Sequence, residues 1–272
     1  MSVYLKPDKT TTYAVGGKTL TVFEKIIPDT MVAPHDVASW VKKGQKMKPC
    51  ALLGGDGKPR GITVHNTGDI KVSAETTPAE QYTRATFNGN MAGVVVHFYV
   101  WRGVIWQNLR LNERGWHAGD GSSRRNGKRA GQKIGGNLDT IAIEAIGGEA
   151  KTTETTALLC AWICKQFGFE PTLDVWQHAD FAQKNCPIYI RPKWKEFIAS
   201  VQSFGAAQTT ATPVTQPKAE PVVEPKPTPV VLPKEEPNVV PAAVVEAIAA
   251  LKPELNRLGV LLQKLIDRLG TK

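Results

Sequence analysis

With 272 residues, 42% of them hydrophobic, the chain carries enough apolar material for a sizeable core. That excludes a disordered or fibrous class and leaves room for one large domain or one domain with an appendage. The formal net charge is +9. It sits mostly in residues 1–206, where 26 Lys and Arg face 18 Asp and Glu, and it peaks at 102–133, where eight basic residues face two acids. Such a patch attracts polyanions, nucleic acid among them, or is a solvated basic loop. Four cysteines are too few for a disulfide framework in a chain of this length, and no run is long enough to span a bilayer.

In chain order, residues 18–27 (K-T-L-T-V-F-E-K-I-I) are rich in β-branched and aromatic residues and read as a strand. Residues 35–43 fit a short helix stopped at Gly44, and 54–61 is a turn-rich loop. A strand at 61–65 ends on His65. Thr77, Pro78 and Glu80 form a helix start with a capping box, and Asn88-Gly89 ends that helix after Phe87. Residues 93–101 read as a strand paired with 104–110 across Arg102-Gly103. The Gly-containing loop 111–137 holds W-H-A-G-D and the basic patch. Residues 139–146 (D-T-I-A-I-E-A-I) form a long apolar run, expected at a buried central position in a sheet. A helix at 153–167 turns Leu158, Leu159, Trp162 and Ile163 inward, with Cys160 and Cys164 as small core residues. Pro192 starts a last helix through Phe204.

The composition then changes. Residues 207–241 hold nine prolines and read as a semi-rigid linker. Beyond it Val244, Ile248, Leu251, Leu255, Leu258, Leu262, Leu265 and Leu269 alternate at spacings of four and three, a heptad seam that Pro253 should kink or split. The domain division is therefore 1–206, a linker at 207–241 and a coiled-coil helix at 242–272.

The segment Trp176–Pro187 (W-Q-H-A-D-F-A-Q-K-N-C-P) brings a His, a Lys and a Cys within nine residues. His178 and Cys186 are too far apart for neighbouring helical turns and meet only if the chain loops back. A shared metal would achieve that, and imidazole nitrogen and thiolate sulfur are the donors zinc prefers. A third ligand must come from elsewhere, and His65 is the best candidate. Glu144, a carboxylate in an apolar strand, either pairs with an arginine or has a function. Lys184 alone would be a solvated lysine. His97 is a rival ligand or a core histidine bonded to backbone.

Taken in order, His65, W-H-A-G-D at 116–120, I-A-I-E at 141–144 and H-x5-K-x-C at 178–186 resemble the zinc-dependent N-acetylmuramoyl-L-alanine amidases of the peptidoglycan-recognition type. Phage endolysins and bacterial autolysins are the nearest forms, and the likeness covers roughly residues 55–200. It implies an α/β fold with a mixed central β-sheet flanked by helices. It implies Zn2+ on His65, His178 and Cys186, Glu144 handling protons, and Lys184 stabilising the oxyanion. It marks His117 as a substrate-groove histidine beside Trp116, whose indole would stack on a sugar or belong to the core. Val96 stands where a Tyr-using subgroup has its catalytic tyrosine, which turns the assignment of the proton-handling role towards Glu144.

The implied reaction cuts the lactyl–L-alanine amide of bacterial peptidoglycan and lyses the wall, with anionic wall polymers as a second partner for the basic patch. A peptidoglycan-binding module without hydrolysis is the alternative, although such relatives lack the Cys ligand. A nucleic-acid binder would explain the charge but not His178, Lys184, Cys186 and Glu144. No charged segment followed by an apolar one opens the chain, so it reads as made in a bacterial cytoplasm without a signal peptide, needing a holin-type or other release.

The broad apolar seam, flanked by Leu261 and Ile266, leads us to expect that 242–272 makes the chain a homo-oligomer while 1–206 alone stays monomeric. Light scattering on the full chain and on 1–206 checks this, and equal monomer masses for the two would rule it out.

Overall fold

The computed structural model describes residues 5–68 and 76–207. The heptad helix and all of the Pro-rich linker beyond Ala207 lie outside the described residues. Within them a seven-stranded sheet runs in the order β1-β2-β5-β4-β8-β3-β9. Its strands are β1 (Lys9–Val15), β2 (Lys18–Glu24), β3 (Gly61–Thr67), β4 (Phe98–Trp101), β5 (Val104–Gln107), β8 (Thr140–Ile146) and β9 (Val175–Gln177). A separate two-residue ladder joins β6 (Arg125–Asn126) to β7 (Lys133–Ile134). The helices are α1 (Pro78–Phe87), α2 (Gly136–Asp139), α3 (Ala150–Phe167), α4 (Pro171–Asp174) and α5 (Trp194–Ala206). β4, β8, β3 and β9 are mutually parallel, whereas β1 with β2 and β4 with β5 are antiparallel hairpins, so the sheet is mixed.

β8 lies between β4 and β3 with both of its faces covered, which is why it reads as an almost unbroken apolar run. On one face Ile62, Val64, Phe98, Val100, Ile141 and Ile143 pack against Leu158, Leu159, Trp162, Phe197 and Val201 of α3 and α5. On the other, Tyr99, Trp101, Ala142 and Ile146 pack with Ala79 of α1. Cys160 and Cys164 are buried in the first cluster, as expected of small core residues. α3 ends on Gly168 in the left-handed conformation, a common helix stop.

Three local expectations change, and one strand was not expected. Residues 35–43 form a turn, not a helix: Ala38 and Val41 exchange backbone hydrogen bonds, and the Asp36 carboxylate accepts from the Lys43 amide at 2.9 Å. A short acid that bonds its own backbone competes with helix formation, while Val37 and Val41, the apparent helix face, are buried in a separate small cluster. The strand at 93–101 shrinks to Phe98–Trp101, because Ala92 and Gly93 adopt positive φ and Val95 bridges Trp116 instead. The capping box is half made: Thr77 accepts from the Glu80 amide, but the Glu80 carboxylate accepts from the Leu5 amide at 2.8 Å and pairs with Arg84. β1, a Thr-rich edge strand folded back onto β2 through Gly16-Gly17, carries too little apolar patterning to announce itself.

His97 is a core histidine. Its Nε2 donates to the Glu113 carbonyl at 2.8 Å, and its Nδ1 accepts from the Ala142 amide at 3.0 Å. Burial drives its pKa down from 6.5 to about 4. Above pH 6.5 the ring is neutral in folded and unfolded chains alike. As pH falls from 6.5 towards 4, only the unfolded chain takes the proton, so stability drains by about 3 kcal/mol over that window. Urea unfolding at pH 7 and pH 4.5 should therefore show a smaller acid loss in His97→Gln than in the parent, whatever their absolute stabilities. Equal losses would show that His97 is not held neutral.

Candidate metal centre and groove

The parallel register β9-β3-β8 sets the site. His65 on β3 pairs directly with Glu144 on β8, and paired residues of neighbouring strands point to the same face. β9 pairs with β3 and ends at Gln177, so His178 emerges beside His65. The site thus lies at the carboxyl ends of parallel strands, where open α/β sheets place ligands. The chain then turns through a short helical stretch at His178–Asp180 and returns Cys186, whose Sγ lies 3.4 Å from the Asn66 amide nitrogen.

One ligand atom each from His65, His178 and Cys186 lies within 4.8 Å of the others, and all three residues are buried. The two Nδ1 atoms of His65 and His178 are 3.0 Å apart. His178 Nε2–H donates to the Ala118 carbonyl at 3.1 Å, which leaves its Nδ1 with a free lone pair. Donors around a tetrahedral zinc are separated by roughly 3.3–3.8 Å, from metal–ligand lengths of about 2.0–2.3 Å. Two nitrogens and a sulfur this close, with a backbone carbonyl fixing one tautomer, fit such an ion.

Burial controls the protonation of the cluster. It presses the pKa of His65 and His117 well below the usual imidazole range and that of His178 to about 4, with Lys184 adding to the effect on His65 and His178. The imidazoles are neutral at physiological pH and available as ligands. Burial also lifts the Cys186 thiol to about 11 and the Glu144 carboxyl to about 8, with Lys184 pulling Glu144 back down. Glu144 makes no hydrogen bond or ion pair among the described residues, so the arginine partner that a structural role would need is not there.

His117 stands between the ligand set and the groove. Its Nδ1 is 3.1 Å from His65 Nε2. It also lines a groove of about 690 Å3 together with Trp116, His178, Lys184 and Trp40. Trp116 is partly exposed there, not a core residue. The W-H-A-G-D loop is pinned by α2. Asn137 Oδ1 accepts from the His117 and Ala118 amides, both at 2.8 Å, and the Asp120 carboxylate accepts from the Gly136 and Asn137 amides. Gly136 must be glycine, since a Cβ there would stand 2.2 Å from that of Ala118. Sequence reasoning missed Asn137 and Trp40, and no spacing or motif marked either.

The basic patch is largely engaged within the fold. Arg124 grips Asp139 through two hydrogen bonds, Arg129 does the same with Asp174, and Lys128 donates to the Thr172 and Val175 carbonyls while lying over the Trp176 ring. Of the eight cations, Arg125 alone has no side-chain hydrogen bond or ion pair among the described residues.

Residues 55–188 match the family model described as N-acetylmuramoyl-L-alanine amidase. The chain is 32% identical over 154 residues to the N-acetylmuramoyl-L-alanine amidase XlyA of Bacillus subtilis (strain 168), covering 56% of this chain and 46% of that one. It is 31% identical over 159 residues to CwlH of the same organism, covering 57% and 58%. The chain thus spans about half the length of the curated relatives it matches. Among solved structures, the catalytic domain of XlyA superposes with a TM-score of 0.50 at 27% identity, covering 66% of this chain and 98% of the other. A mutant endolysin from Bacillus subtilis does so at 0.50 and 28%, covering 67% and 99%.

Asn137→Ala should strand two buried amides. At about 1–3 kcal/mol for each lost partner, the expected destabilisation is roughly 2–6 kcal/mol by urea unfolding, with Asn137→Asp, which keeps the acceptor, losing clearly less. A change below about 1 kcal/mol for Asn137→Ala would show that the loop does not depend on this clamp.

Proposed function

We propose that this chain, whose residues 55–188 belong to the N-acetylmuramoyl-L-alanine amidase family, hydrolyses the amide between the lactyl group of N-acetylmuramic acid and the L-alanine of the peptidoglycan stem peptide. The observation that carries this reading is the convergence of His65, His178 and Cys186 beside an unpaired Glu144 carboxyl at the end of a groove. The same set argues for a resident zinc ion, which when bound would supply a water of lowered pKa and polarise the carbonyl under attack.

The chain's own groups do the rest. Ala118 holds His178 in the tautomer that offers Nδ1, and His117 stands against His65 Nε2. Glu144, once ionised, takes the proton as water oxygen bonds to the lactyl carbonyl carbon. The Lys184 ammonium lies where it can face the oxyanion that forms. The carbon–nitrogen bond then breaks as the alanine nitrogen receives the proton, giving a lactyl carboxylate and a free N-terminal alanine. Trp116 lines the groove where the sugar portion would lie. The protein would act on the bacterial cell wall. A non-catalytic wall-binding role would leave the arrangement of Glu144 and Lys184 around the ligand set without a use.

Digestion of purified sacculi tests the reaction: new N-terminal alanine is expected without new reducing sugar, and the reverse would sink the proposal. Glu144→Gln should lower turnover by roughly 10²–10⁴ while keeping metal content and melting temperature. A large fall in melting temperature with near-normal turnover would return Glu144 to a structural role. Elemental analysis should find one zinc per chain, lost in Cys186→Ser. Metal that survives both Cys186→Ser and His178→Ala would refute the ligand assignment.

A further inference from the structure

Trp40 occupies the turn closed by the Ala38–Val41 backbone bonds and is 58% exposed. Nothing about folding calls for an indole there. Tight turns favour Gly, Pro, Asn, Asp and Ser, and an exposed indole leaves a large apolar surface in water. Yet the base of the turn is built firmly. Val37 and Val41 are buried with Ile27, Ala33, Met47, Val95 and Leu109. Nearby Lys48, almost wholly buried, pairs with Glu113 at 2.8 Å and Asp29 at 2.6 Å.

The indole rests against Gly93. A Cβ at that glycine would lie 3.1 Å from Trp40 Nε1 and 3.2 Å from Cε2, and its φ of +76° disfavours a side chain anyway. Trp40 lines the same groove as Trp116, His117, His178 and Lys184. It comes from the stretch before residue 55, ahead of the family match, so the family motifs do not account for it.

We propose that Trp40 is a substrate-binding residue which, with Trp116, takes the glycan arm of peptidoglycan in this groove. The inference rests on the amidase reading above. A pyranose ring offers a C–H face that lies on an indole while its hydroxyls stay at the edge in water. The stem peptide instead carries carboxylates, which an indole wall would desolvate without a partner. Among the described groove-lining residues the one Lys or Arg is Lys184, and the turn that carries Trp40 offers no cation to the groove for such a carboxylate.

The test uses the full chain and two soluble substrates with the same scissile amide: a disaccharide-peptide and a lactoyl-peptide lacking sugars. Trp40→Ala should raise KM for the disaccharide-peptide about tenfold, the scale of one lost aromatic contact. It should keep kcat within about twofold, leave KM for the lactoyl-peptide unchanged and leave the melting temperature unchanged. Trp40→Phe should recover most of the loss. An equal rise on both substrates would place the indole against the peptide arm and overturn the proposal, as would no rise on either. If the parent chain cuts neither substrate, the amidase reading itself has failed. Binding of the disaccharide-peptide, measured by calorimetry on the parent and Trp40→Ala chains, then judges Trp40 alone: a Kd about tenfold weaker in the variant supports it, and equal Kd values reject it.

Discussion

The site depends on the parallel pairing of β3 with β8 on one side and β9 on the other. That register puts His65 beside Glu144 and delivers His178 as soon as β9 ends. The three side chains come from positions 65, 144 and 178, so no local motif assembles them. The ladder's hydrogen bonds do, and a slip of one residue would turn His65 into the apolar face that packs on α3. The apolar residues Ile62, Val64, Ile141 and Ile143 prevent that slip, because they must face α3 and α5. Core burial on one face thereby fixes the geometry of the candidate site on the other.

That relation explains what the sequence revealed. The alternation of Ile62 and Val64 with Thr63 and His65 was legible as a strand ending on a histidine, and the run around Glu144 was legible as a central strand. The mixed sheet flanked by helices was what the resemblance to the amidases implied. The contact between His117 and His65 was not legible, because it depends on how an irregular loop is pinned by Asn137 and Asp120. Loops held by side-chain acceptors on backbone amides leave no periodic trace. The turn at Ala38–Val41 misled for a related reason: Val37 and Val41 have helical spacing, yet both are buried by a hairpin-like turn. β1 went unseen because an edge strand rich in threonine has one half-buried face and little apolar pattern.

The charge pattern left two readings open. A run of cations at 102–133 looks like a surface prepared for polyanions, but a count of charges says nothing about their partners. Asp139 and Asp174, both almost fully buried, are neutralised by Arg124 and Arg129. A buried carboxylate left without such a partner costs several kcal/mol, so these arginines serve the fold before they can serve a ligand. They also hold the loop against α2 and α4, next to the groove. The positive patch is to a large extent the scaffold of the W-H-A-G-D loop.

Glu144 shows the opposite choice within the same fold. Asp139 and Asp174 receive arginines and backbone amides. Glu144 receives neither, and burial lifts it to about 8 with only Lys184 acting against the rise. An acid that serves only the fold would be paired like the other two or replaced by an apolar residue, as every other position of β8 from Ile141 to Ile146 is. Retaining one unpaired carboxyl in that strand, opposite His65, makes the fold less stable than it need be. In a chain that pairs its buried acids Asp139 and Asp174 this carefully, the exception supports the proton-handling role proposed for Glu144.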